Sequence, residues 1–214
     1  VLAVGDLNGD GKDDIAITLK RSRGAGSAKP NAGDVAVIYG EMPVSATYDM
    51  DTGGVIDLRI QGARANDETG ASLVFADLSG DGTEDLLIGT PFADYDVDND
   101  GTEDGAPDFD AFDSGAIAVV WGFNGLSSPL DLDDDSLLAT YHKTRFFGEQ
   151  SSDGIGSAFA VGDVDGSGAA DLIAGAPFAA SRDDLRAAAG EVRIYFGDGS
   201  LGYDTPDVKW TSAT

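Results

Sequence analysis

The sequence contains an internal repeat, and this repeat limits the possible folds more than any other feature. Eight residues recur 86 positions further along the chain. They are Gly62, Gly70, Asp77, Gly82, Asp85, Gly89, Pro91 and Phe92, which return as Gly148, Gly156, Asp163, Gly168, Asp171, Gly175, Pro177 and Phe178. An earlier copy, 71 positions upstream, keeps Asp6, Asp10, Gly11 and Asp14 in step with Asp77, Asp81, Gly82 and Asp85. We therefore divide the chain into three related units, residues 1–61, 62–147 and 148–214.

Each unit is predicted to contain four β-strands, because its apolar segments are rich in β-branched and aromatic residues. The first strand runs into an acidic loop, the second leaves it, the third lies between two glycines and the fourth is outermost. The second, third and outer strands are expected within residues 14–18, 33–40 and 55–61, residues 85–89, 115–122 and 138–147, and residues 171–175, 190–197 and 207–212. Only residues 182–189 could form a turn or two of helix.

The strands that leave the acidic loops are apolar on consecutive residues, as in DLLIG at residues 85–89. Strands of this kind are covered on both faces. Short strands in a meander, with inner members buried on both faces, favour sheets packed side by side as the blades of a propeller. We predict an all-β fold of three four-stranded blades. Three blades form an open ring, which is completed either by further chain or by other copies through open edges and faces.

The acidic loops have the spacing of a site for a hard cation. Oxygen-bearing side chains stand at positions 1, 3, 5 and 9, a backbone carbonyl is available at position 7, and glycine at position 6 allows the sharp turn. Positions 1, 3, 5, 7 and 9 are Asp6, Asn8, Asp10, Lys12 and Asp14; Asp77, Ser79, Asp81, Thr83 and Asp85; and Asp163, Asp165, Ser167, Ala169 and Asp171. Several oxygens from one flexible loop favour Ca²⁺ over Mg²⁺. The twelfth position is Ile17, Ile88 or Ala174 instead of glutamate, which excludes an EF-hand.

The sequence thus predicts three calcium sites, with a fourth candidate outside the repeat register. That candidate loop has Asp96, Asp98, Asp100, Thr102 and Asp104 at the same positions. It lies in the acidic insertion at residues 92–114 of the second unit, and the alternative is that this insertion is only an acidic loop. For the other loops, the alternative is that Asp, Asn and Gly form solvated turns without a metal. Ser79, Ser167 and Asn8 each replace a charged ligand and should weaken their sites.

Charge and composition narrow the classes of partner. The chain has 39 acidic and 13 basic residues, a net charge of −26, which argues against nucleic acid as a ligand. With 42% apolar residues it can still form a core. No apolar run is long enough to span a membrane. The chain has no cysteine, so we expect calcium to stabilise it in place of disulfides. Because it begins at Val1 within an apolar stretch, we interpret it as a mature form or a fragment.

These motifs resemble the FG-GAP repeats of integrin α-subunit propellers and their bacterial relatives. The family's Phe-Gly and Gly-Ala-Pro motifs appear as Ile155-Gly156 with Gly175-Ala176-Pro177, and as Thr69-Gly70 with Gly89-Thr90-Pro91, while the first unit lacks both. The resemblance implies blades with calcium between strands one and two, in a ring of about seven. It also implies that the loops joining strands two and three receive ligands, which makes them candidate partner contacts. In the first of these loops, at residues 20–32, the basic candidates are Lys20, Arg21, Arg23 and Lys29, and a solvated loop is the alternative.

We expect a secreted or cell-surface calcium-binding module for adhesion or protein–protein interaction, with a protein or glycan as ligand. One alternative is a structural subunit that self-assembles through its blade edges, and another is the propeller part of a larger lectin or hydrolase. Catalysis is not expected, because the chain has one histidine, His142, in a predicted outer strand, and no cysteine.

Overall fold

The computed structural model describes residues 1–23, 29–40, 50, 54–94, 111–123, 125–133, 143–148, 150–180, 186–197 and 208–209. These residues contain thirteen β-strands. The strands are β1 (Leu2–Gly5), β2 (Asp14–Leu19), β3 (Asp34–Ile38), β4 (Leu58–Gln61), β5 (Ser72–Ala76), β6 (Asp85–Thr90), β7 (Ala116–Val120), β8 (Leu130–Asp131), β9 (Lys143–Phe147), β10 (Ala158–Gly162), β11 (Asp171–Ala176), β12 (Glu191–Tyr195) and β13 (Val208–Lys209). The described part contains no helix, which confirms the all-β class there, and residues 186–188 form a bend and a turn. No helix able to cross a membrane is found in that part.

The strands form three sheets that follow the three sequence units. The first sheet has the order β1-β2-β3-β4-β8, the second has β5-β6-β7-β9-β13, and the third has β10-β11-β12. Neighbouring strands in each sheet pair antiparallel, apart from the pairs made by β8 and β13. The first two strands of each sheet form a hairpin whose last pairs are Gly5 with Asp14, Ala76 with Asp85, and Gly162 with Asp171. The acidic loops are therefore equivalent hairpin loops.

The first and second sheets each gain a short parallel strand from the following unit. β8 pairs with β4 in the first sheet, and β13 pairs with β9 in the second. The predicted outer strand of the third unit, residues 207–212, was therefore placed wrongly: its described part, β13, lies at the outer edge of the second sheet. A short strand from the following unit can add to each sheet because the outer edges of β4 and β9 offer backbone groups that no other described strand pairs with. The third sheet has three described strands instead of four.

Two hydrophobic cores hold the three sheets side by side. In the first core, Val35, Val37, Leu58 and Ile60 of the first sheet pack against Leu86, Ile88, Ala118 and Val120 of the second. In the second core, Leu87, Ile117, Val119, Trp121 and Phe146 of the second sheet pack against Leu172 and Ala174 of the third. The first strands of the sheets, β1, β5 and β10, lie next to one another. This is the side-by-side arrangement that the repeat predicts.

Burial of the second strands depends on where their sheet lies. β6 is buried along its whole length, as its apolar sequence predicts. The same prediction is wrong for β2 and β11, in which half-buried positions alternate with buried ones. The reason is that the second sheet alone is packed between two others, whereas the outer sheets each have one face without such a neighbour among the described residues.

Candidate metal centre

The last aspartate of each acidic loop is a buried structural anchor. Asp14, Asp85 and Asp171 have almost no exposed surface. One carboxylate oxygen of each accepts a hydrogen bond from the backbone N–H of loop position 2: Oδ2 of Asp14 from Leu7 at 2.9 Å, of Asp85 from Leu78 at 2.9 Å and of Asp171 from Val164 at 2.7 Å. Asp85 also accepts from the Ser79 N–H at 3.1 Å. These bonds hold the two ends of each loop together.

The second carboxylate oxygen of the same aspartates reaches the end of the third strand. Oδ1 of Asp14, Asp85 and Asp171 accepts from the backbone N–H of Gly40, Gly122 and Gly197 at 2.9, 2.9 and 2.8 Å. The loop between strands one and two therefore lies on the same side of the sheet as the end of strand three. The acidic loops and the glycines that follow the third strands therefore lie at the same end of the strands.

Burial affects how two of these anchors, Asp14 and Asp85, ionise. Removal from water raises the pKa of Asp85 to about 6, against the opposing effect of the hydrogen bonds from Gly122, Leu78 and Ser79. It also raises the pKa of Asp14, where the hydrogen bond from Gly40 opposes it. The anchors are thus carboxylates placed in a poorly solvated position, where a nearby cation would favour their charged form.

The first aspartate of each loop organises the turn. Oδ2 of Asp6, Asp77 and Asp163 accepts from the backbone N–H of the glycine at position 6, at 2.8, 2.9 and 2.9 Å. The side chain at position 3 or 5 accepts a hydrogen bond from the backbone N–H two residues later. Examples are Asp10 from Lys12, Asp81 from Thr83 and Asp165 from Ser167. Three sequences that differ at position 3 thus fold into the same type of loop.

The third loop brings its carboxylates closest together. Oxygens of Asp163, Asp165 and Asp171 all lie within 4.8 Å of one another. Hydrogen bonds from Ser167 lower the pKa of Asp165, so this exposed group stays ionised. Three carboxylates with oxygens at this separation fit an oxygen-ligated cation such as Ca²⁺. No other described set of three acidic side chains meets the same criterion.

In the first two loops, the acidic side chains have partners inside the loop. Oδ2 of Asp10 lies 3.8 Å from the Lys12 ammonium nitrogen and 3.3 Å from Asn8 Nδ2. Oδ1 of Asp77 accepts from the Ser79 hydroxyl at 3.4 Å and the Gly80 N–H at 2.7 Å. The Gly80 bond has a counterpart in the third loop, from the Gly166 N–H to Asp163 Oδ1 at 2.7 Å. The contacts with Lys12, Asn8 and the Ser79 hydroxyl are therefore the ones that draw these carboxylates towards donors within their own loops. The residues of the fourth candidate loop, 96–104, lie outside the described part of the chain.

The loops between strands two and three lie at the opposite end of the strands from the acidic loops. Backbone bonds join the first and second of these loops to the connection that enters the next sheet, from Thr69 N–H to Ala32 C=O at 2.8 Å and from Ile155 N–H to Ser114 C=O at 3.1 Å. Two of the basic candidates are ion-paired here: Lys20 with Glu68 at 3.4 Å and Lys29 with Asp133 at 3.0 Å.

The remaining sequence candidates lie at the surface or outside the described residues. Arg21 and Arg23 are exposed, as is Phe178. His142 lies outside the described residues.

The sequence argument missed one pair of buried carboxylates. Asp67 and Asp153 are buried, and they lie 86 positions apart, so the repeat register contained the signal. Each accepts a bond from the backbone N–H three residues earlier, from Arg64 at 3.0 Å and from Gln150 at 3.1 Å. Their ion pairing differs: Asp153 lies 2.7 Å from the Arg193 guanidinium. Burial raises the pKa of Asp67 to about 7, with Asp94 and Asp133 adding to the effect and Arg64 opposing it.

Comparison with known protein families finds a match within the first unit. Residues 1–38 match the FG-GAP repeat. This segment contains β1, the first acidic loop, β2 and β3, in the unit that lacks the Phe-Gly and Gly-Ala-Pro motifs. The family resemblance inferred from the loops is thereby confirmed for these residues. No curated protein shows significant similarity to the chain.

Proposed function

We propose that this chain, whose residues 1–38 match an FG-GAP repeat, is a calcium-binding β-propeller module for adhesion or protein–protein interaction outside the cell. An FG-GAP repeat suggests a β-propeller that takes part in protein–protein interaction, and such repeats are typical of extracellular proteins. The observation that supports calcium is the convergence of Asp163, Asp165 and Asp171 in the third loop. The role is binding, not catalysis.

In the third loop, Asp163, Asp165, Ser167 and Asp171 would hold the ion, together with the backbone carbonyl of Ala169. Calcium supplies charge that offsets the repulsion between these carboxylates. Because Asp171 is also bonded to the Gly197 N–H, an ion at the loop would stabilise the end of β12 as well as the hairpin. The equivalent donors in the other loops would bind more weakly, since Asp10 and Asp77 first have to leave their partners within the loop.

Recognition would use the loops between strands two and three, which lie at the opposite end of the strands from the acidic loops. The acidic loops and the ends of the third strands share one side, so an ion there leaves the loops between strands two and three accessible. Backbone bonds attach the first and second of these loops to the connection entering the next sheet, which gives their bonded residues a defined position. Calcium would therefore act on partner binding through the stability of the sheets and without contacting the partner.

Thermal unfolding in calcium and in a chelator tests the metal site. We expect a clear rise in Tm with calcium, because an ion that binds only the folded state stabilises it by about 1.4 kcal/mol per site at ten times its Kd. Calorimetric titration should show at least three bound ions if all three loops bind. An unchanged Tm together with no heat of binding would mean that the loops are solvated turns.

A pair of charge-matched variants assigns the site. Asp165→Asn removes one carboxylate from the third loop but keeps an oxygen for the Ser167 N–H, so its tightest calcium site should weaken about tenfold, or 1.4 kcal/mol. Asp13→Asn removes the same charge from an exposed position of the first loop that carries no predicted ligand, and its titration should match the wild type. Equal losses in both variants would point to a general charge effect.

A further inference from the structure

The two outer sheets each expose an apolar face. In this description, the leading face of a sheet is the one turned towards the next sheet along the chain, and the trailing face is the opposite one. On the leading face of the third sheet, Val192 is 70% exposed and Phe196 is 61% exposed. On the trailing face of the first sheet, Leu2 is 62% exposed and Val4 is 51% exposed. Large apolar side chains in such positions indicate a surface that another partner covers.

The repeat register identifies what covers the leading face elsewhere in this chain. Val192 and Phe196 correspond to Ile117 and Trp121, two positions and six positions after equivalent glycines. Both second-sheet residues are buried in the core shared with the third sheet. The exposed leading face of the third sheet is therefore the counterpart of a face that is covered in the second sheet by a trailing face.

The trailing face of the first sheet has the same kind of counterpart. Leu2 and Val4 correspond, 71 positions on, to Leu73 and Phe75 of the second sheet. Leu73 is buried in the core shared with the first sheet, and Phe75 packs against that core. Each outer sheet thus exposes the half of an interface whose other half is exposed by the sheet at the opposite end of the chain.

The second strands support the same conclusion. β2 and β11 have the consecutive apolar sequence of strands covered on both faces, yet Ile15, Ile17 and Ile173 are only half-buried. Their second-sheet equivalents, Leu86, Ile88 and Leu87, are completely buried. The amino-acid pattern of the outer sheets therefore corresponds to a state in which both of their faces are packed.

We propose that the leading face of the third sheet packs against the trailing face of the first sheet of a second copy of this chain. The pairing repeats the interface that already joins consecutive sheets within one copy, and it joins unlike faces, so it is heterologous. Leu2, Val4, Val192 and Phe196 carry no charge, so burying them avoids the desolvation of acidic groups in a chain of net charge −26. On β3, Ala36 and Ile38 are already buried, so the contact on the first sheet centres on β1 and β2.

The pairing goes beyond the proposed function, because it depends on the sheet faces and does not require calcium in the loops. The two proposals have separate measurements: calcium is followed by calorimetric titration, and pairing by molar mass. Loss of one can be detected while the other remains.

The test measures the molar mass of the 214-residue chain by light scattering and sedimentation over a range of concentrations, with calcium and with a chelator. The wild type should form a dimer or a larger assembly. Val192→Asp should block the leading face of the third sheet, and Val4→Asp the trailing face of the first, so each variant alone should be monomeric. An equimolar mixture of the two should assemble again, because each variant contributes the face that the other has lost.

Phe178→Asp is the matched control, since Phe178 is 56% exposed but lies in a loop outside both faces. It introduces the same charge and should assemble like the wild type. Circular dichroism checks that the variants are folded, and Val192→Ser with Val4→Ser repeats the test without added charge. A wild-type monomer at every concentration would overturn the proposal. Assembly of either variant alone would also overturn it, because that result indicates pairing between like faces. So would a mixture that fails to assemble, because the two intact faces would then not be complementary.

Discussion

At the scale of single residues, the anchoring aspartates combine two roles that sequence spacing cannot separate. The spacing predicted Asp14, Asp85 and Asp171 as cation ligands at loop position 9. In the structure, both oxygens of each accept backbone hydrogen bonds, from the loop and from the glycine that ends strand three. The glycine lies 26 or 37 residues further along the chain, and its proximity follows from the sheet. Spacing within one loop therefore could not show this contact.

Asp67 and Asp153 give a pH prediction at the same scale. The pKa of Asp67 is raised to about 7 by burial, so the folded state holds its proton more tightly than the unfolded state. The stability that this proton contributes is present below the ordinary pKa of 3.8 and is lost as pH rises through about 7. Asp67→Asn keeps an oxygen for the Arg64 N–H and removes the buried charge. We expect the variant to exceed the wild type in stability by about 1–3 kcal/mol at about pH 8, and the difference to shrink as pH falls and to vanish only towards the ordinary pKa of 3.8.

Asp153→Asn is the matched control for this prediction. Asp153 faces the buried Arg193 guanidinium at 2.7 Å, so loss of its charge should destabilise the fold by about 2 kcal/mol at neutral pH. Denaturant unfolding of both variants across the pH range measures the difference. The same sign of change in both variants at about pH 8 would contradict the assigned role of Asp67.

At the scale of elements, the space around the glycine before strand three shows how closely a sheet lies to the next one. Gly115 and Gly190 are equivalent, and both have a φ of 77°. A Cβ at Gly115 would meet the backbone oxygen of Ile155 in the connection to the third sheet, whereas the nearest atom to a Cβ at Gly190 is the Pro177 oxygen at 3.5 Å.

Substitution with alanine separates backbone strain from this close approach. Gly190→Ala should cost about 1–2 kcal/mol, because an L-residue is strained at positive φ. Gly115→Ala should cost at least about 2 kcal/mol more, because it also forces two packed sheets apart. Denaturant unfolding with a common slope measures both costs. Equal costs would mean that the second and third sheets are not held as closely as Gly115 indicates.

The short strands β8 and β13 show where prediction from an element's own residues ends. Residues 207–212 were predicted as an outer strand, whereas β8 was not predicted at all, and an edge strand can pair with any neighbour that offers backbone groups. In the structure, Lys143 decides part of this choice. Its buried ammonium group donates to the carbonyl oxygens of Leu132 at 2.6 Å and Asp131 at 3.3 Å, so it holds the β8 segment of the first sheet against the second sheet. That contact depends on three-dimensional proximity and leaves no local pattern.

At the scale of the whole molecule, stability should be highest in the second sheet. β6 and β7 are buried at every residue, and two cores cover their faces. β10 and β12 contain exposed and half-buried residues. Native-state hydrogen exchange of the unpaired chain, measured on the monomeric Val192→Asp variant, should therefore show the slowest amides in β6 and β7, and faster exchange in β10 and β12. Uniform protection across all three sheets of that variant would contradict this order.

The sequence alone determined the repeat, the positions of most strands and the acidic loops. These features depend on local composition and spacing, and the same local solution appears three times in one chain. The tertiary structure decided which sheet receives β13, which aspartates are buried anchors, and that the carboxylates converge in the third loop. Among the described residues, it also decided that only the second sheet is covered on both faces. Such outcomes depend on contacts between residues far apart in the chain, and the apolar second strand that all three units share does not show which unit is covered on both faces.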